Sequence, residues 1–439
     1  VSQKIIIIGA GLAGSLLAIY LAKRGIQVDV FEARGDMRKE RVVGGRSINL
    51  ALSNRGIAAL REVGMDKYML AEAVPMYGRM IHSLEGETRL LPYSGRAGES
   101  INSVSRSGLN IALINEAEKY PGVQFVFNEQ CTDLDCTTGE VVFESGRTIR
   151  GDTLIATDGA GSAVRQAMET QMPDFSVSSV FLEHGYKELQ IPAGSIGNFL
   201  IEKNALHIWP RHKFMMIALP NSDGSFTCTL FLGHGAIDQL TNAKSLLEFF
   251  EREFSDAIEL MPTLAADFAS NPTGLLGTIK CWPWNVDGKF LLLGDSAHAV
   301  VPFYGQGMNC AFEDVRVLDQ LIEKHGTDWE TVYEEYGRLR KINTDAIADM
   351  AEENFYEMRD AVADPVFVRK RELETRLEQL YPDYFSKYSM VTFREDMPYA
   401  VAKEKGNAQD KLLMEICATA QDVRELLLDD VMTKVRSIG

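Results

Sequence analysis

The chain is poor in the residues that staple small or metal-bound folds. Its 439 residues include only six cysteines, Cys131, Cys136, Cys228, Cys281, Cys310 and Cys417, with no CxxC pair and no regular spacing. That argues against a disulfide framework and for reduced, partly buried thiols. The seven histidines are scattered and form no HExxH, so no metal site is expected. Positive charge is also scarce. Lys and Arg number 45 against 62 Asp and Glu, a net charge of -17. Such a chain repels nucleic-acid phosphates and anionic membrane surfaces, although a local arginine can still bind an anionic substrate. Long apolar runs are missing too: the longest, Ala10 to Ala22, is broken by Lys23 and Arg24 and is too short to span a bilayer. Lys4 leads directly into Ile5 with no signal-peptide pattern. These absences predict a soluble, cytoplasmic protein without a membrane anchor, a monomer or weak homodimer of two or three domains.

What is present begins with "IIIIGAGLAGSLLAIYLAKRGIQVDVFEARG", from Ile5 to Gly35. A β-branched run reads as a buried parallel strand. Gly9-Ala10-Gly11-Leu12-Ala13-Gly14 then turns the chain into a helix that ends near Gly25. Gly9 permits the tight turn, Gly11 lets backbone approach a pyrophosphate, and Gly14 lets helix and strand pack closely. The helix N-terminus offers free N–H groups to phosphate. The next strand, "QVDVFE", ends at Glu32, placed to accept hydrogen bonds from a ribose hydroxyl. A carboxylate there repels a 2′-phosphate, so the site suits FAD or NAD and not NADP. Arg34 is ambiguous between a cofactor contact and a solvated loop charge.

Two later segments narrow the choice. "TLIATDGAGSAVR" ends a strand at Asp158-Gly159, which by itself is equally a helix-capping turn. "KFLLLGDSAHAVVPFYGQGMNCAFEDV" places Gly294-Asp295 at the end of an apolar strand, a ligand position in α/β sheets. Pro302 and the Gly305-Gln306-Gly307 turn follow, with a helix from about Met308. A helix start favours negative charge such as that of a reduced flavin, and glycines allow close approach to a flat ring. His298 reads as a structural hydrogen-bonding residue.

The coarse pattern is α/β: a Rossmann-like dinucleotide domain, an interleaved antiparallel-sheet substrate domain and a C-terminal helical region. The predicted boundaries are 1–76 with 98–177 and 280–322 for the first, 77–97 with 178–279 for the second, and 323–439 for the third. A loop is predicted around Gly44 and Gly45, a helix over 53–63, a hairpin over 78–93 and a helix over 107–120. Strands at 123–128, 140–145 and 152–159 are expected to return to the first sheet. Near the end, Leu412, Leu413, Ile416, Leu426, Leu427 and Val431 form a helical stripe better suited to packing on protein than on a membrane.

The three glycine-acid segments, spanning residue 4 to about 320, together resemble the FAD-dependent aromatic hydroxylases of the p-hydroxybenzoate hydroxylase type. "GGRSINLALSNRG", "SVSRSGLN", "PFYGQGMNC", "NFYEMRD" and "YSMVTF" extend the resemblance over nearly the whole chain, to the branch that hydroxylates L-kynurenine to 3-hydroxy-L-kynurenine. The resemblance implies bound FAD, with NADPH and O2 as co-substrates and a flavin C4a-hydroperoxide as the oxygen donor. It implies FAD contacts at the first motif, Arg38, Ala51, Arg106, Asp158, Gly294, Asp295, Pro302 and the 305–307 turn, with Met308 and Asn309 at the isoalloxazine. It also implies that Arg79, Tyr93, Asn354 and Tyr388 hold the kynurenine carboxylate and that Phe303 faces its ring. From the residues alone, Arg79 reads as a hairpin surface charge and Tyr93 as a half-buried loop aromatic. An arginine fork with two hydroxyls and an amide nevertheless suits a carboxylate. No acid–base residue is required, because the substrate's aniline nitrogen activates its own ring. Tyr304 receives no role. The ending "KVRSIG" lacks the hydrophobic tail of eukaryotic relatives, which implies a soluble bacterial-type form. The alternatives are a hydroxylase of another carboxylate-bearing aromatic compound and a non-catalytic flavin-binding sensor.

Overall fold

The computed structural model describes residues 3–39, 49–360, 364–420 and 422–438. The loop expected around Gly44 and Gly45 lies outside them. A six-stranded sheet forms the first layer. Its order is Asn285–Val286, Phe290–Leu292, Thr153–Ala156, Lys4–Ile8, Gln27–Glu32 and Val123–Phe127. All neighbours are parallel except the first pair. Ile5 to Ile8 and Phe290 to Leu293 are buried, which explains their unbroken apolar runs. The helix Leu12–Lys23 is apolar nearly all round because it is enclosed by this sheet and by the helices Arg106–Ala117 and Gly307–His325.

The segment expected as a strand over 140–145 does not join this sheet. Glu140–Phe143 is the centre of a separate antiparallel meander with Cys131–Asp135 and Thr148–Ile149. Both of its partners lie nearby in the chain, so hairpin pairing closes at lower entropic cost than a return to the distant sheet.

The second layer is a seven-stranded sheet in the order Gly274–Trp282, Ser176–Ile191, Phe226–Gly233, Met215–Pro220, Ala205–Pro210, Gly78–His82 and Thr88–Pro92. The hairpin over residues 78–92 is thus inserted into a sheet built about a hundred residues later. The expectation of a purely antiparallel sheet needs one correction: Gly78–His82 runs parallel to Ala205–Pro210. The hairpin arrives from elsewhere in the chain, so no tight turn constrains its direction.

The 31-residue helix Trp329–Arg359 packs against the helix Gly307–His325, the turn Pro302–Tyr304 and the helix Tyr399–Thr419. One apolar cluster joins the second sheet to these helices through Phe231, Phe303, Phe355, Met358, Met390 and Tyr399. The C-terminal stripe mostly packs inward, with Leu413 and Val431 in a cluster with Leu373, Leu377 and Tyr384. Leu427 stays exposed. No helix among the described residues is long and apolar enough to cross a membrane.

Candidate functional site

The first strand delivers the chain to Gly9, whose φ of +98° favours glycine. A Cβ on Gly14 would lie 2.0 Å from the Gly9 carbonyl oxygen, so helix and turn can pack only without a side chain there. Gly11 differs: a Cβ there would meet nothing within 4 Å. It precedes a helix with no side-chain cap, so Leu12, Ala13 and Gly14 begin the helix beside open space. Two glycines therefore serve packing, and the third leaves room for an anion at the helix start.

Glu32 is buried at the end of the second strand. Its Oε2 accepts the Ala10 N–H at 2.8 Å, and its Oε1 accepts Nε of Arg34 at 2.7 Å. Burial opposes its charge, but Arg34 outweighs that and holds the carboxyl below its usual range. Arg34 is thus no free loop charge. Arg38 is committed to Asp36 at 2.8 Å and Glu118 at 2.6 Å, and this pairing lowers the Asp36 pKa to about 2.

Asp158 accepts the Ala163 N–H at 2.9 Å and the Ser296 hydroxyl at 3.0 Å. It both caps its own helix and ties that helix to the turn at Gly294, where φ is +66°. Asp295 is exposed while residues 291–294 and 296–299 are buried. Surrounding protein nonetheless desolvates its carboxylate, which pushes its pKa up against the pull of His298 and Arg106. Arg106 begins the helix Arg106–Ala117.

The turn Pro302–Tyr304 leads to Gly305, with φ of +66°, packed against Ala51. Asn309 is fully buried. Its Oδ1 accepts the Ser53 N–H at 2.9 Å, and its Nδ2 donates to the Ala51 and Gly305 carbonyls at 2.8 Å. Its amide is consumed in joining the strand to the turn, so only its backbone is available to a cofactor. Gln306 is buried as well and accepts the Tyr399 hydroxyl at 3.0 Å. The helix from Gly307 starts without a side-chain cap or an acidic residue in its first turn, leaving the N–H groups of Gly307, Met308 and Asn309 for a negative group. A cradle with two uncapped helix starts, glycine clearances and carboxylates at the ends of two parallel strands fits a dinucleotide such as FAD.

His298 makes the expected structural bond, with Nε2 2.6 Å from Asp314 Oδ2. His298, Asp314 and Cys310 are the one group of potential metal ligands among the described residues. Arg340 Nε lies 2.6 Å from Asp314 Oδ1, and its Nη2 is 3.4 Å from Cys310 Sγ. The guanidinium supplies the positive charge that this buried acid requires.

Across the fold, four distant segments meet. Arg79 is buried, not a surface charge. Its Nη2 lies 3.4 Å from Asn354 Oδ1, and Asn354 Nδ2 donates to the Phe303 carbonyl at 2.7 Å. The Arg79 guanidinium carbon is 5.0 Å from the centre of the Tyr388 ring and 6.0 Å from that of Tyr93. Tyr93 is buried and stacks on Tyr388 at 5.1 Å, and Tyr388 stacks on Tyr304 at 5.4 Å. Phe303 packs on Phe231 and Phe355. Arg79, Asn354, Tyr388 and Tyr304 line one cavity.

The same cavity is lined by residues that sequence reasoning missed: Glu357, Lys370, Arg371, Glu374, Lys387 and Asp410. Glu357 Oε1 is 3.0 Å from Arg79 Nη1. Burial opposes the charge of Glu357, but Arg79, Lys370 and Lys387 outweigh it and lower its pKa. The one available signal was spacing, since Glu357 follows Asn354 by three residues on the same helix face.

The family profile described as "FAD binding domain" matches residues 2–231 and 278–349. A protein named kynurenine 3-monooxygenase from Myxococcus xanthus (strain DK1622) is 49% identical over 424 residues, covering 93% of this chain and 90% of its own. One of the same name from Dictyostelium discoideum is 43% identical, covering 99% of this chain and 98% of its own. Among solved structures, the tetrameric form of 2-methyl-3-hydroxypyridine-5-carboxylic acid oxygenase has a TM-score of 0.68 at 21% identity, covering 84% of this chain and 96% of that one. At that identity the likeness speaks for the fold.

Proposed function

The chain belongs to the FAD-binding-domain family and, within it, to the kynurenine 3-monooxygenases, and from that premise we propose that it hydroxylates L-kynurenine to 3-hydroxy-L-kynurenine with NADPH and O2. One oxygen atom enters the ring, and the other leaves as water with the two electrons of NADPH. The observation that carries this reading is the meeting of the buried Arg79, Asn354 and Tyr93 with the half-buried Tyr388 beside the turn Pro302–Tyr304.

FAD would be held by Gly9, Gly11 and the helix start at Leu12 to Gly14, by Glu32, with Arg34 setting its orientation, and by Asp158 and Asp295. Arg106, Ala51 and the backbone from Pro302 through Asn309 would complete its bed, and Arg38 would support the adjoining loop through Asp36. Bound FAD supplies acceptance of hydride from NADPH and activation of O2. The protein's own part is positional. Arg79 binds the substrate carboxylate with its planar fork, the hydroxyls of Tyr93 and Tyr388 add donors, and Asn354 positions the guanidinium by accepting its Nη2 at Oδ1. Asn354 also bonds to the Phe303 carbonyl, which couples the clamp to the turn facing the ring. Phe303, Phe231 and Phe355 keep water from the reacting ring, where exclusion of solvent prevents wasteful side reactions. The lone pair of the substrate's aniline directs oxygen to the neighbouring carbon, so no protein base is needed. The same reading takes the chain as a cytoplasmic enzyme, alone or as a weak homodimer.

The test is to supply the FAD-loaded protein with NADPH in air and add L-kynurenine. Stimulated NADPH oxidation with accumulation of 3-hydroxykynurenine supports the reading. NADPH oxidation indifferent to kynurenine, with no hydroxylated product, overturns it.

A further inference from the structure

Building on the kynurenine reading, we propose that Glu357 determines specificity by accepting the α-ammonium group of an α-amino acid while Arg79 holds its carboxylate. In the structure Glu357 Oε1 lies 3.0 Å from Arg79 Nη1, and both side chains line the cavity that also holds Asn354 and Tyr388. The pair leaves Arg79 unsatisfied, because its Nε is buried without a hydrogen-bond partner. A guanidinium with a spare buried donor beside a carboxylate is a poor resting pair but a good split receptor for a zwitterion.

The neighbouring charges support this division. Lys370 reaches Asp410 at 2.7 Å, Lys387 reaches Asp410 at 2.8 Å, and Arg371 reaches Glu374 at 2.7 Å. These contacts hold Lys370, Lys387 and Arg371 on other carboxylates, and Arg79 and Glu357 are the pair in direct contact beside Asn354 and Tyr388. A ligand carrying only a carboxylate would seat its negative charge on Arg79 directly beside that of Glu357, and two like charges in a partly buried site repel strongly. An α-amino acid carries its ammonium two bonds from the carboxylate carbon, each of about 1.5 Å. It thereby meets both charges, and neither Arg79 nor Glu357 loses its counter-ion. Asn354 and Glu357 sit three residues apart on one helix face, so a single rigid element presents the amide and the acid to the same end of the substrate.

The proposal is tested by binding and by turnover. Wild-type holoenzyme and the Glu357→Gln variant are titrated calorimetrically with L-kynurenine and with des-amino-kynurenine, the same skeleton with hydrogen in place of the α-amino group. The ratio of kcat/KM for the two compounds is measured in parallel. Wild type should prefer L-kynurenine by roughly tenfold or more, as for a charge-assisted hydrogen bond, and Glu357→Gln should lose most of that preference. A wild type that binds the two compounds equally overturns the assignment without recourse to any variant. If affinity for both falls in parallel in Glu357→Gln with the ratio unchanged, Glu357 serves only to hold Arg79, and the assignment is again overturned. If wild type binds no L-kynurenine at all, the kynurenine reading falls, and this assignment falls with it.

Discussion

Replacing Arg79 with alanine removes the one cation at the centre of the clamp. The side chain is buried, with Glu357 at 3.0 Å and Asn354 at 3.4 Å, and its guanidinium lies 5.0 Å from the Tyr388 ring. A hydrogen bond to a charged group contributes about 1.5–3 kcal/mol, and a bidentate pair with a carboxylate lies at the upper end. Loss of about 3 kcal/mol raises the Kd for L-kynurenine by roughly 150-fold. The change also leaves Glu357 without its nearest cation, at a stability cost of about 1–3 kcal/mol. The two effects separate in the double variant Arg79→Ala with Glu357→Gln, which should recover most of the melting temperature and none of the carboxylate affinity. Arg79→Lys should fall between, because an ammonium keeps the charge but not the fork. The assays are equilibrium titration of L-kynurenine and thermal unfolding. An Arg79→Ala protein that binds L-kynurenine within threefold of wild type would refute the clamp.

Three further outcomes follow from the same geometry. Gly14→Ala places a methyl group 2.0 Å from the Gly9 carbonyl oxygen and should cost roughly 2–3 kcal/mol together with retention of FAD, read from flavin absorbance after gel filtration. Asp295→Ala should not lower the melting temperature of the FAD-free protein, since the residue is exposed and burial of its surroundings disfavours its charge, while raising the Kd for FAD by about tenfold or more. His207 donates from Nε2 to the Glu202 carbonyl at 2.7 Å and faces His82 Nε2 through Nδ1, and burial pushes its pKa from 6.5 down to about 4. Its unfolded form therefore binds the proton first. Stability from this group is complete above about pH 6.5 and should fall by about 3 kcal/mol as pH drops toward 4, a slope that His207→Gln should flatten in urea unfolding across that range.

The strand–turn–helix geometry of the candidate cradle was legible because most of it is local. Gly9, Gly11, Gly14 and Glu32 lie within one strand–helix–strand unit, where Gly14 answers the Gly9 carbonyl and Gly11 is left open, although Gly9 itself is crowded by the backbone of Thr157, just past a strand far along the chain. The proposed clamp was not legible from residue chemistry. Arg79 lies on a hairpin, Tyr93 just past it, and Asn354 and Tyr388 on two helices near the other end of the chain. Only the resemblance to known hydroxylases brought them together. Lys370, Arg371, Glu374, Lys387 and Asp410 were invisible for a related reason. Charges at helical spacing look like a solvated face until a neighbouring helix covers them, and here the helices Pro365–Leu380, Lys387–Phe393 and Tyr399–Thr419 cover one another. Strand pairing failed at two points, the meander around Glu140–Phe143 and the parallel entry of Gly78–His82, because β-periodicity fixes a strand but not its partner. Asn309 and Gln306 show a subtler limit. The motif points them at a cofactor, yet their side chains are spent on holding Ala51, Ser53 and Tyr399, so only backbone would remain for it.

On the proposed reading, this chain inserts one atom of dioxygen into the ring of L-kynurenine. The most direct measurement is turnover of L-kynurenine with NADPH under ¹⁸O₂, with the product analysed by mass. The expected product is 3-hydroxykynurenine carrying a single ¹⁸O in the new hydroxyl. A product whose hydroxyl oxygen comes from water, or NADPH consumed with kynurenine recovered intact and only peroxide formed, would contradict it.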